Sequence, residues 1–357
     1  MSASNRSRSG IECFAPADRG RILDAADNIT MTAKPVVFLV ALLFAASSAI
    51  TSDAPAQPSA SYPNRAIRMV IPFASGSDVD THGRYFAEQL SRVLGQRVVV
   101  ENRPAADGIV GVRAVKNSPA DGYTLLLASN SSLIVYPLVT RNLPYDPMKD
   151  LKPISGLTRE MIVFVVSADS KLRTFGDLVA AMKKASLPMT VGTHSAAHRL
   201  AIEWFAGLAG FKFTNVPYKG TPTMFSDVLG GFVDWAVTDL SAAAESLRAG
   251  RLRAIAVSGE ARHEDFPTVP TVRESGYPAY VSFTWTSLSV RTETPYDVTA
   301  KLSAAMQQVL AQPATIDFLR RARVEPMPFT PSEQKRFQQA EMDRMKKVAE
   351  AAGIRPE

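Results

Sequence analysis

From residue 66 onward, short apolar segments alternate with longer stretches in which apolar residues recur every three or four positions. The short segments are typical of buried strands and lie at residues 66–72, 97–101 and 123–128. The longer stretches predict amphipathic helices at residues 79–94 and 109–116, the first with Phe86 and Leu90 on one face. This alternation favours an α/β protein with a largely parallel sheet and helices on both faces.

A second series of the same kind follows. Its predicted strands are residues 161–167, 189–191, 213–216, 234–237 and 252–257, with helices at 196–208 and near 224–229 and 242–247. Thr174 and Asp177 have the spacing of a capping box that starts a helix. Residues 295–352 are predicted to be helical, and Pro295 and Pro331 each stand where a first helical residue is expected.

Two α/β series joined by extended segments predict two lobes, with connections near residues 155–167 and 278–290. The C-terminal helices have no strands of their own and are expected to pack on the first lobe. Lobe 1 would then comprise residues 62–157 plus 286–357, and lobe 2 residues 158–285. Two connections form a hinge, and hinged lobes close around a ligand.

The longest apolar run lies near the start, from Val36 to Ala46, after Lys34 and before Ala54-Pro55-Ala56. A basic start, a short apolar core and an A-x-A exit are typical of a secretory signal peptide. The run is too short to cross a bilayer as a mature helix. We therefore expect residues 31–56 to be a signal peptide, cleaved after Ala56 or after Ala49, and the protein to be periplasmic.

Residues 1–30 are interpreted as a mis-assigned start or a disordered segment. The alternative is a long n-region or an uncleaved anchor.

Composition narrows the chemistry. The only cysteine, Cys13, precedes the predicted signal peptide, so the exported chain would have no disulfide and no thiol nucleophile. The net charge is +6, from 40 basic and 34 acidic residues, without a dense Lys/Arg run, so nucleic acid is not an expected partner. The sequence contains no G-x-S-x-G, H-E-x-x-H, P-loop or G-x-G-x-x-G motif, which argues against an enzyme.

His194 and His198 have the spacing of a helical metal pair, but the residues around His194 favour a loop, and no third ligand is evident. Ser195 and His198 could form part of a hydrolase site, but the sequence shows no third residue that would orient the histidine. The sequence therefore gives no expectation of a metal or a catalytic site.

Short motifs in a fixed order carry a family resemblance. They are Tyr62-Pro63-Asn64-Arg65, VVVENRPAADG at 98–108, Pro119-Ala120-Asp121-Gly122-Tyr123, Leu143-Pro144-Tyr145-Asp146-Pro147, Val216-Pro217-Tyr218-Lys219-Gly220, Val269-Pro270-Thr271-Val272 and Trp285. With this order and spacing, residues 62–354 resemble the substrate-binding proteins of tripartite tricarboxylate transporters, the Bug family. The resemblance implies a two-lobed periplasmic binding protein (type II-like), hinged by two crossovers. It further implies a monomer that captures a small carboxylate-bearing solute and delivers it to membrane permease subunits, with no cofactor. A ligand-presenting sensor for a two-component system is the alternative, and an enzyme acting on a small organic acid is a third class.

Ligands of open α/β sheets bind beyond the carboxyl ends of strands, where helices begin. Four loops meet that description, and the resemblance places ligand contacts in loops of this kind. The candidate ligand-binding residues are Ser75, Gly76, Ser77, Asp78 and Asp80 in the first loop, Ser129, Asn130 and Ser131 in the second, Gly192, Thr193, Ser195, His198 and Arg199 in the third, and Thr238 and Asp239 in the fourth. Either His198 or Arg199 takes the place of a histidine that the family has in its third loop.

The first loop departs from the family pattern, because Ser77 and Asp78 stand where glycines are usual. Glycines there leave bare N–H groups for a carboxylate, whereas Asp78 adds a negative charge. If Asp78 faces the ligand, we expect an amine or hydroxyl donor on the ligand and a poor fit for a tricarboxylate. If Asp78 points to solvent or only caps the helix, an ordinary dicarboxylate is favoured.

Overall fold

The computed structural model describes residues 62–106 and 108–356. The predicted mis-assigned start and signal peptide lie outside these residues. The strands are β1 (Ile67–Ile71), β2 (Val98–Asn102), β3 (Thr124–Ser129), β4 (Leu151–Ser167), β5 (Met189–Thr193), β6 (Phe213–Pro217), β7 (Trp235–Asp239), β8 (Leu252–Val257), β9 (Phe283–Arg291) and β10 (Glu325–Pro326). The helices are α1 (Asp78–Leu94), α2 (Ile109–Lys116), α3 (Tyr136–Val139), α4 (Pro147–Asp150), α5 (Phe175–Lys184), α6 (Ala196–Ala209), α7 (Thr221–Leu229), α8 (Leu240–Arg248), α9 (Tyr296–Leu310), α10 (Pro313–Ala322) and α11 (Pro331–Ala351), with a π-helical turn at Ser131–Val135. Within the described ranges, no helix is both long enough and apolar enough to cross a membrane.

The sheet has the strand order β2-β1-β3-β9-β4-β7-β5-β6, with β8 and β10 also paired to β4. Strand β1 runs parallel to β2 and β3, and β5 runs parallel to β6 and β7. We call β1–β3 the N-terminal half and β5–β8 the central half. The predicted α/β class is confirmed, but the sheet is mixed because the strands that join the halves run antiparallel to their neighbours.

Strands β4 and β9 form the connection between the halves. Residues 151–161 of β4 pair with β9, and residues 162–167 pair with β7 and β8. The sequence predicted a strand only at 161–167 and an extended connection before it. The first part of β4, from Leu151 to Glu160, mixes polar and apolar residues. It therefore lacks the apolar pattern of a buried strand, although both halves share this strand.

Local capping explains where the helices begin. Thr174 and Asp177 form the predicted capping box, and Thr330 and Glu333 form a second one. Pro331 is the first helical residue, as expected, whereas Pro295 precedes α9 as its N-cap. Helix α1 starts after Ser77, whose Oγ accepts a hydrogen bond from the Asp80 N–H at 3.2 Å. Such a cap contributes about 1 kcal/mol.

Each half has its own apolar core. In the N-terminal half, side chains of β1, β3 and α1 pack with α9, and Met69, Phe86 and Met306 are fully buried. In the central half, Phe164 stacks on Trp235 with ring centroids 5.7 Å apart. Burial of one such side chain stabilises the fold by about 1.5–3 kcal/mol. These cores hold the strand ends, and therefore the loops that follow them, in fixed positions.

A third cluster joins the halves. It contains Val112 from α2, Leu133 from the π-helical turn, Leu200 from α6, Trp285 from β9 and Met345 from α11. Helix α11 contacts β4, α6 and the π-helical turn, so the last helix packs on elements of both halves. Helices α9 and α10 contact α1, β4 and β10. The assignment of the C-terminal helices to one lobe remains a prediction.

Candidate functional site

The four candidate loops each follow the carboxyl end of a strand and precede a helical segment. The first joins β1 to α1, the second joins β3 to the π-helical turn, the third joins β5 to α6, and the fourth joins β7 to α8. The first N–H groups of a helix have no acceptor within it, and the helix dipole makes that end positive. These positions can therefore bind an anionic group, provided that nearby side chains do not oppose it.

Asp80 holds the first loop together from inside. Its side chain is only 3% exposed and accepts hydrogen bonds from the Gly76 N–H at 2.8 Å, Arg84 Nε at 2.9 Å and Asn102 Nδ2 at 2.7 Å. Burial raises the pKa of Asp80, but the hydrogen bonds from Arg84, Gly76 and Asn102 outweigh it and lower the pKa to about 2. Both carboxylate oxygens have donors within the protein, so Asp80 shapes the loop.

The other residues of the first loop lie closer to the protein surface than Asp80 does. Gly76 has φ +83°, which a side chain would disfavour, and Ser75 is exposed with its Oγ 3.5 Å from Asp80 Oδ2. Ser77 caps α1, as the sequence allowed. Asp78 is exposed at the first helical position, and its negative charge contributes to raising the pKa of Glu160 on β4. Asp78 therefore lies within electrostatic reach of the strand that connects the halves.

The second loop also bonds mainly to itself. Ser132 Oγ accepts from the Ser129 N–H at 3.1 Å and donates to the Ser129 carbonyl at 2.9 Å. Ser129 and Ser131 are buried, whereas Asn130 is half-buried and donates from Nδ2 to the Phe283 carbonyl at 3.5 Å. Asn130 thus brings the second loop to the start of β9.

The third and fourth loops meet through His198. Its side chain is 1% exposed, with Nδ1 2.6 Å from Ser195 Oγ and Nε2 3.2 Å from Asp239 Oδ1. Thr284 of β9 donates to the same Asp239 oxygen at 2.6 Å. Burial raises the pKa of Asp239, but His198, His194 and the Thr284 hydroxyl outweigh it and hold this pKa below its usual range. Asp239 is therefore a charged carboxylate at neutral pH.

His194 lies beside this network. Its ring centroid is 4.5 Å from that of His198, and its Nε2 is 3.0 Å from Thr238 Oγ1. Burial, followed by the charge of His198, lowers the pKa of His194 to about 4, so the ring is neutral at pH 7. Arg199 is exposed on α6 and pairs with Glu203 at 3.8 Å. Of the two residues that the sequence left open, His198 is in the network and Arg199 is outside it.

Gly192 and Thr193 support the third loop from β5. A Cβ at Gly192 would lie 2.8 Å from Met224 Cγ, so the strand passes too close to α7 for a side chain. Thr193 is buried and donates from Oγ1 to Asn215 Oδ1 at 2.8 Å. Both residues therefore fix the strand end from which His194 projects.

Glu160 on β4 and Thr284 on β9 are the site residues that sequence reasoning missed. Glu160 Oε1 accepts from the Ser241 N–H at 2.7 Å, at the start of α8. Desolvation, then the charge of Asp239, raises the pKa of Glu160 well above its usual range. The sequence does contain one sign of Glu160, because this carboxyl residue stands directly before the unbroken apolar run Met161–Val166.

Together, the carboxyl groups of Glu160 and Asp239 and the imidazoles of His194 and His198 lie where the third and fourth loops meet the connecting strands. The neighbouring Arg159 is already paired with Glu260 and Glu325. This set favours a hydrogen-bond donor or a cation over a bare polyanion. His194, His198 and Asp239 each offer a metal-ligating atom, all within 4.8 Å of one another.

Ser195, His198 and Asp239 also have the order of a hydrolytic triad. However, Ser195 Oγ caps α6 by accepting from the His198 N–H at 3.2 Å, and serine and histidine are three residues apart on one helical turn. The hydroxyl is therefore part of the helix cap.

Three aromatic side chains close to the candidate loops in sequence have partners in other parts of the fold. Phe73 lies against the N-terminal core, Trp285 is 2% exposed in the cluster that joins the halves, and Tyr218 donates to Asp227 at 2.6 Å. A separate open groove of about 600 Å³ lies between α1 and β2. Two of its three arginines, Arg84 and Arg92, are paired with Asp80 and Glu88.

Comparison with known proteins gives a consistent result. A family model described as the tripartite tricarboxylate transporter family receptor matches residues 83–354. Protein BugT of Bordetella pertussis is 31% identical over 316 residues, which cover 88% of this chain and 96% of that protein. The solved structure of R. palustris Rpa4515 with adipate has a TM-score of 0.75 and 30% identity, covering 83% of this chain and 100% of that one. MatC from Rhodopseudomonas palustris with bound malate has a TM-score of 0.71 and 25% identity, covering 80% and 99%.

Proposed function

This chain belongs to the tripartite tricarboxylate transporter receptor family, and on that premise we propose that it captures one small carboxylate-bearing solute between the two halves of its sheet and delivers it to its own membrane permease. The family consists of periplasmic solute-binding receptors that work with transporter permeases, and not of enzymes. The arrangement of Ser195, His198 and Asp239 is accordingly a hydrogen-bond network that shapes a binding site.

One observation carries the proposal: the start of α8 bonds to Glu160 of β4, and Asp239 at the end of β7 bonds both to Thr284 of β9 and to His198 at the start of α6. Helix starts supply N–H groups that hold a carboxylate. In two relatives of this family, the bound molecules are adipate and malate. By similarity, we infer that a carboxylate of the solute contacts these helix starts.

The carboxyl groups select the rest of the solute. Asp239 is charged, and Asp78 is an exposed carboxylate in a loop where the family usually has glycines. Each further carboxylate on the solute is disfavoured by these charges, so a tricarboxylate fits poorly, whereas an amine or hydroxyl would donate to them. We therefore infer a solute with one or two carboxylates and at least one amine or hydroxyl group.

The proposed mechanism is closure of two lobes, residues 62–157 plus 286–357 and residues 158–285, about β4 and β9. Closure removes the solute from water and strengthens its polar contacts. The proposed contacts come from Ser75–Asp78, Asn130, Ser195–His198 and Thr238–Ser241, with Asp80, Gly192 and Thr193 holding the loops in shape. Export as a periplasmic monomer, through the signal peptide at 31–56, completes the proposal.

A thermal-shift screen of small organic acids, hydroxy acids and amino acids tests the proposal. A solute at a hundred times its dissociation constant adds about 2.7 kcal/mol to the free energy of unfolding, which is a measurable rise in Tm. We expect at least one carboxylate with an amine or hydroxyl group to raise Tm without being consumed. A panel in which no carboxylate raises Tm, or in which the solute is converted to a product, contradicts the proposal.

A further inference from the structure

The residues at the junction of the third and fourth loops are arranged as a ligand set for a cation. His194 directly follows β5, His198 lies in the first turn of α6, and Asp239 ends β7. Their ligating atoms lie within 4.8 Å of one another, and His198 Nε2 and Asp239 Oδ1 are already 3.2 Å apart. Two ligands bound tetrahedrally at about 2.1 Å from a zinc ion are about 3.4 Å apart. Small side-chain rotations of His194 would therefore complete a three-ligand site.

We propose that His194, His198 and Asp239 bind a divalent transition-metal cation of the Zn²⁺ or Co²⁺ type. Two imidazoles and one carboxylate are the ligands that such cations prefer, whereas Ca²⁺ and Mg²⁺ prefer all-oxygen sites. The sequence showed the spacing of the two histidines but not the third ligand, because Asp239 is 41 residues from His198 and joins it only through the pairing of β5 with β7.

Each of the three ligands has a partner that orients it, as metal ligands in proteins usually have. Ser195 Oγ is 2.6 Å from His198 Nδ1, so the other ring nitrogen faces Asp239. Thr284 donates to Asp239 Oδ1 at 2.6 Å, and Thr238 Oγ1 is 3.0 Å from His194 Nε2. Thr284 comes from β9, so both the central half and a connecting strand support the ligand set.

The charge around the site also favours a cation. The carboxyl group of Glu160 lies near Asp239, and Arg199, one residue from His198, pairs with Glu203. The Asp239 side chain is 20% exposed, so one edge of the ligand set reaches the surface. Three protein ligands leave a coordination position open, and a carboxylate of the solute can fill it. This last step rests on the proposed function, whereas binding of the cation itself does not.

Metal titration of the exported protein, purified without a polyhistidine tag and treated with EDTA, tests the inference. We expect one Co²⁺ or Zn²⁺ per chain by calorimetry, and a visible Co²⁺ spectrum typical of nitrogen and oxygen ligands. His194→Ala and Asp239→Asn should each weaken binding at least tenfold. His82→Ala removes a histidine that packs against Phe318 and should bind as the wild type does. Circular dichroism establishes that each variant is folded. His194 is substituted rather than His198 because His194 is only half-buried, so its replacement disturbs the fold less.

Two results would overturn the inference: binding of neither cation at 100 µM, or equal binding by the wild type and folded His194→Ala. The solute screen, repeated in EDTA, separates this inference from the proposed function. A protein that binds carboxylates in EDTA but binds no cation keeps its function and loses the metal site. A protein that binds a cation but no carboxylate keeps the metal site and loses the proposed function.

Discussion

The loops of the N-terminal half and those of the central half use polar side chains in different ways. In the first and second loops, Asp80, Ser129 and Ser132 are bonded mostly within their own segments and the adjoining helix and strand. In the third and fourth loops, hydrogen bonds join separate elements, from His198 to Asp239 and from Asp239 to β9. The hydrogen bonds of the N-terminal loops therefore fix the shape of those loops, whereas the central loops place the charged Asp239 beside β4 and β9. Asp78 is the exception, because it is a charge supplied by the N-terminal half.

Removing Asp80 should have the largest effect on stability and a small effect on which solute is preferred. Asp80→Ala leaves the donors of Gly76, Arg84 and Asn102 without their acceptor, and loss of a buried charged partner costs about 3 kcal/mol. Urea denaturation measures this change. Glu88→Ala, which removes an exposed carboxylate on the same helix, should change stability by less than about 0.5 kcal/mol. Equal losses in the two variants would show that Asp80 does not hold the loop.

The same carboxylate predicts a pH dependence. The pKa of Asp80 is about 2 in the folded protein and 3.8 in the reference state. A lowered pKa means that the contribution of Asp80 is fully present above the unfolded value and is lost as the pH falls from about 4 towards 2. Asp80→Asn should flatten this part of the stability profile. If Asp80→Asn and the wild type lose stability equally between pH 4 and pH 2, the low pKa of Asp80 is contradicted.

Neutralising Asp78 should change selectivity. Asp78→Asn keeps the size of the side chain and removes its charge, so affinity for dicarboxylates should rise about tenfold, or about 1.4 kcal/mol, relative to amine-bearing acids. Competition binding measures the ratio. Asp297→Asn removes an exposed carboxylate from the first turn of α9 and controls for the loss of a helix-end charge. An identical ratio in both variants means that Asp78 does not face the solute.

Replacing Glu160 should stabilise the protein slightly. Its raised pKa means that folding favours the protonated form, so stability declines as the pH rises above the unfolded value near 4.5. Glu160→Gln keeps an acceptor for the Ser241 N–H and should be more stable than the wild type by about 1 kcal/mol at neutral pH. Denaturation at pH 5 and pH 7.5 tests this prediction, with Glu245→Gln on the exposed side of α8 as the control. A stability loss at both pH values would refute it.

The smallest effect is expected at Arg199. Arg199→Ala removes only an exposed ion pair with Glu203, so solute affinity should change less than twofold. His198→Gln, by contrast, disconnects Ser195 from Asp239 and should weaken binding at least tenfold. A large effect at Arg199 with none at His198 would reverse the roles assigned to these neighbours.

The sequence predicted the α/β class, the two helix–strand series and the four loops, because apolar periodicity and capping residues are local features. The sequence predicted Asp80 as a ligand contact. In the structure it is buried and accepts hydrogen bonds from Arg84 and Asn102, and the sequence alone does not show that these residues meet. Glu160 and Thr284 were missed because they lie on the connecting strands, where neither periodicity nor a turn marks them. The third ligand for His194 and His198 was missed for a similar reason, since Asp239 reaches them only through strand pairing.

The central claim is that the charged junction of the third and fourth loops binds the solute. Isothermal titration of the wild type and Asp239→Asn with the solute that gives the largest thermal shift tests it most directly, because asparagine keeps the size of the side chain and can still accept from Thr284. The account predicts one solute per chain for the wild type and at least tenfold weaker binding for the folded variant. Equal affinities in the two proteins would contradict it.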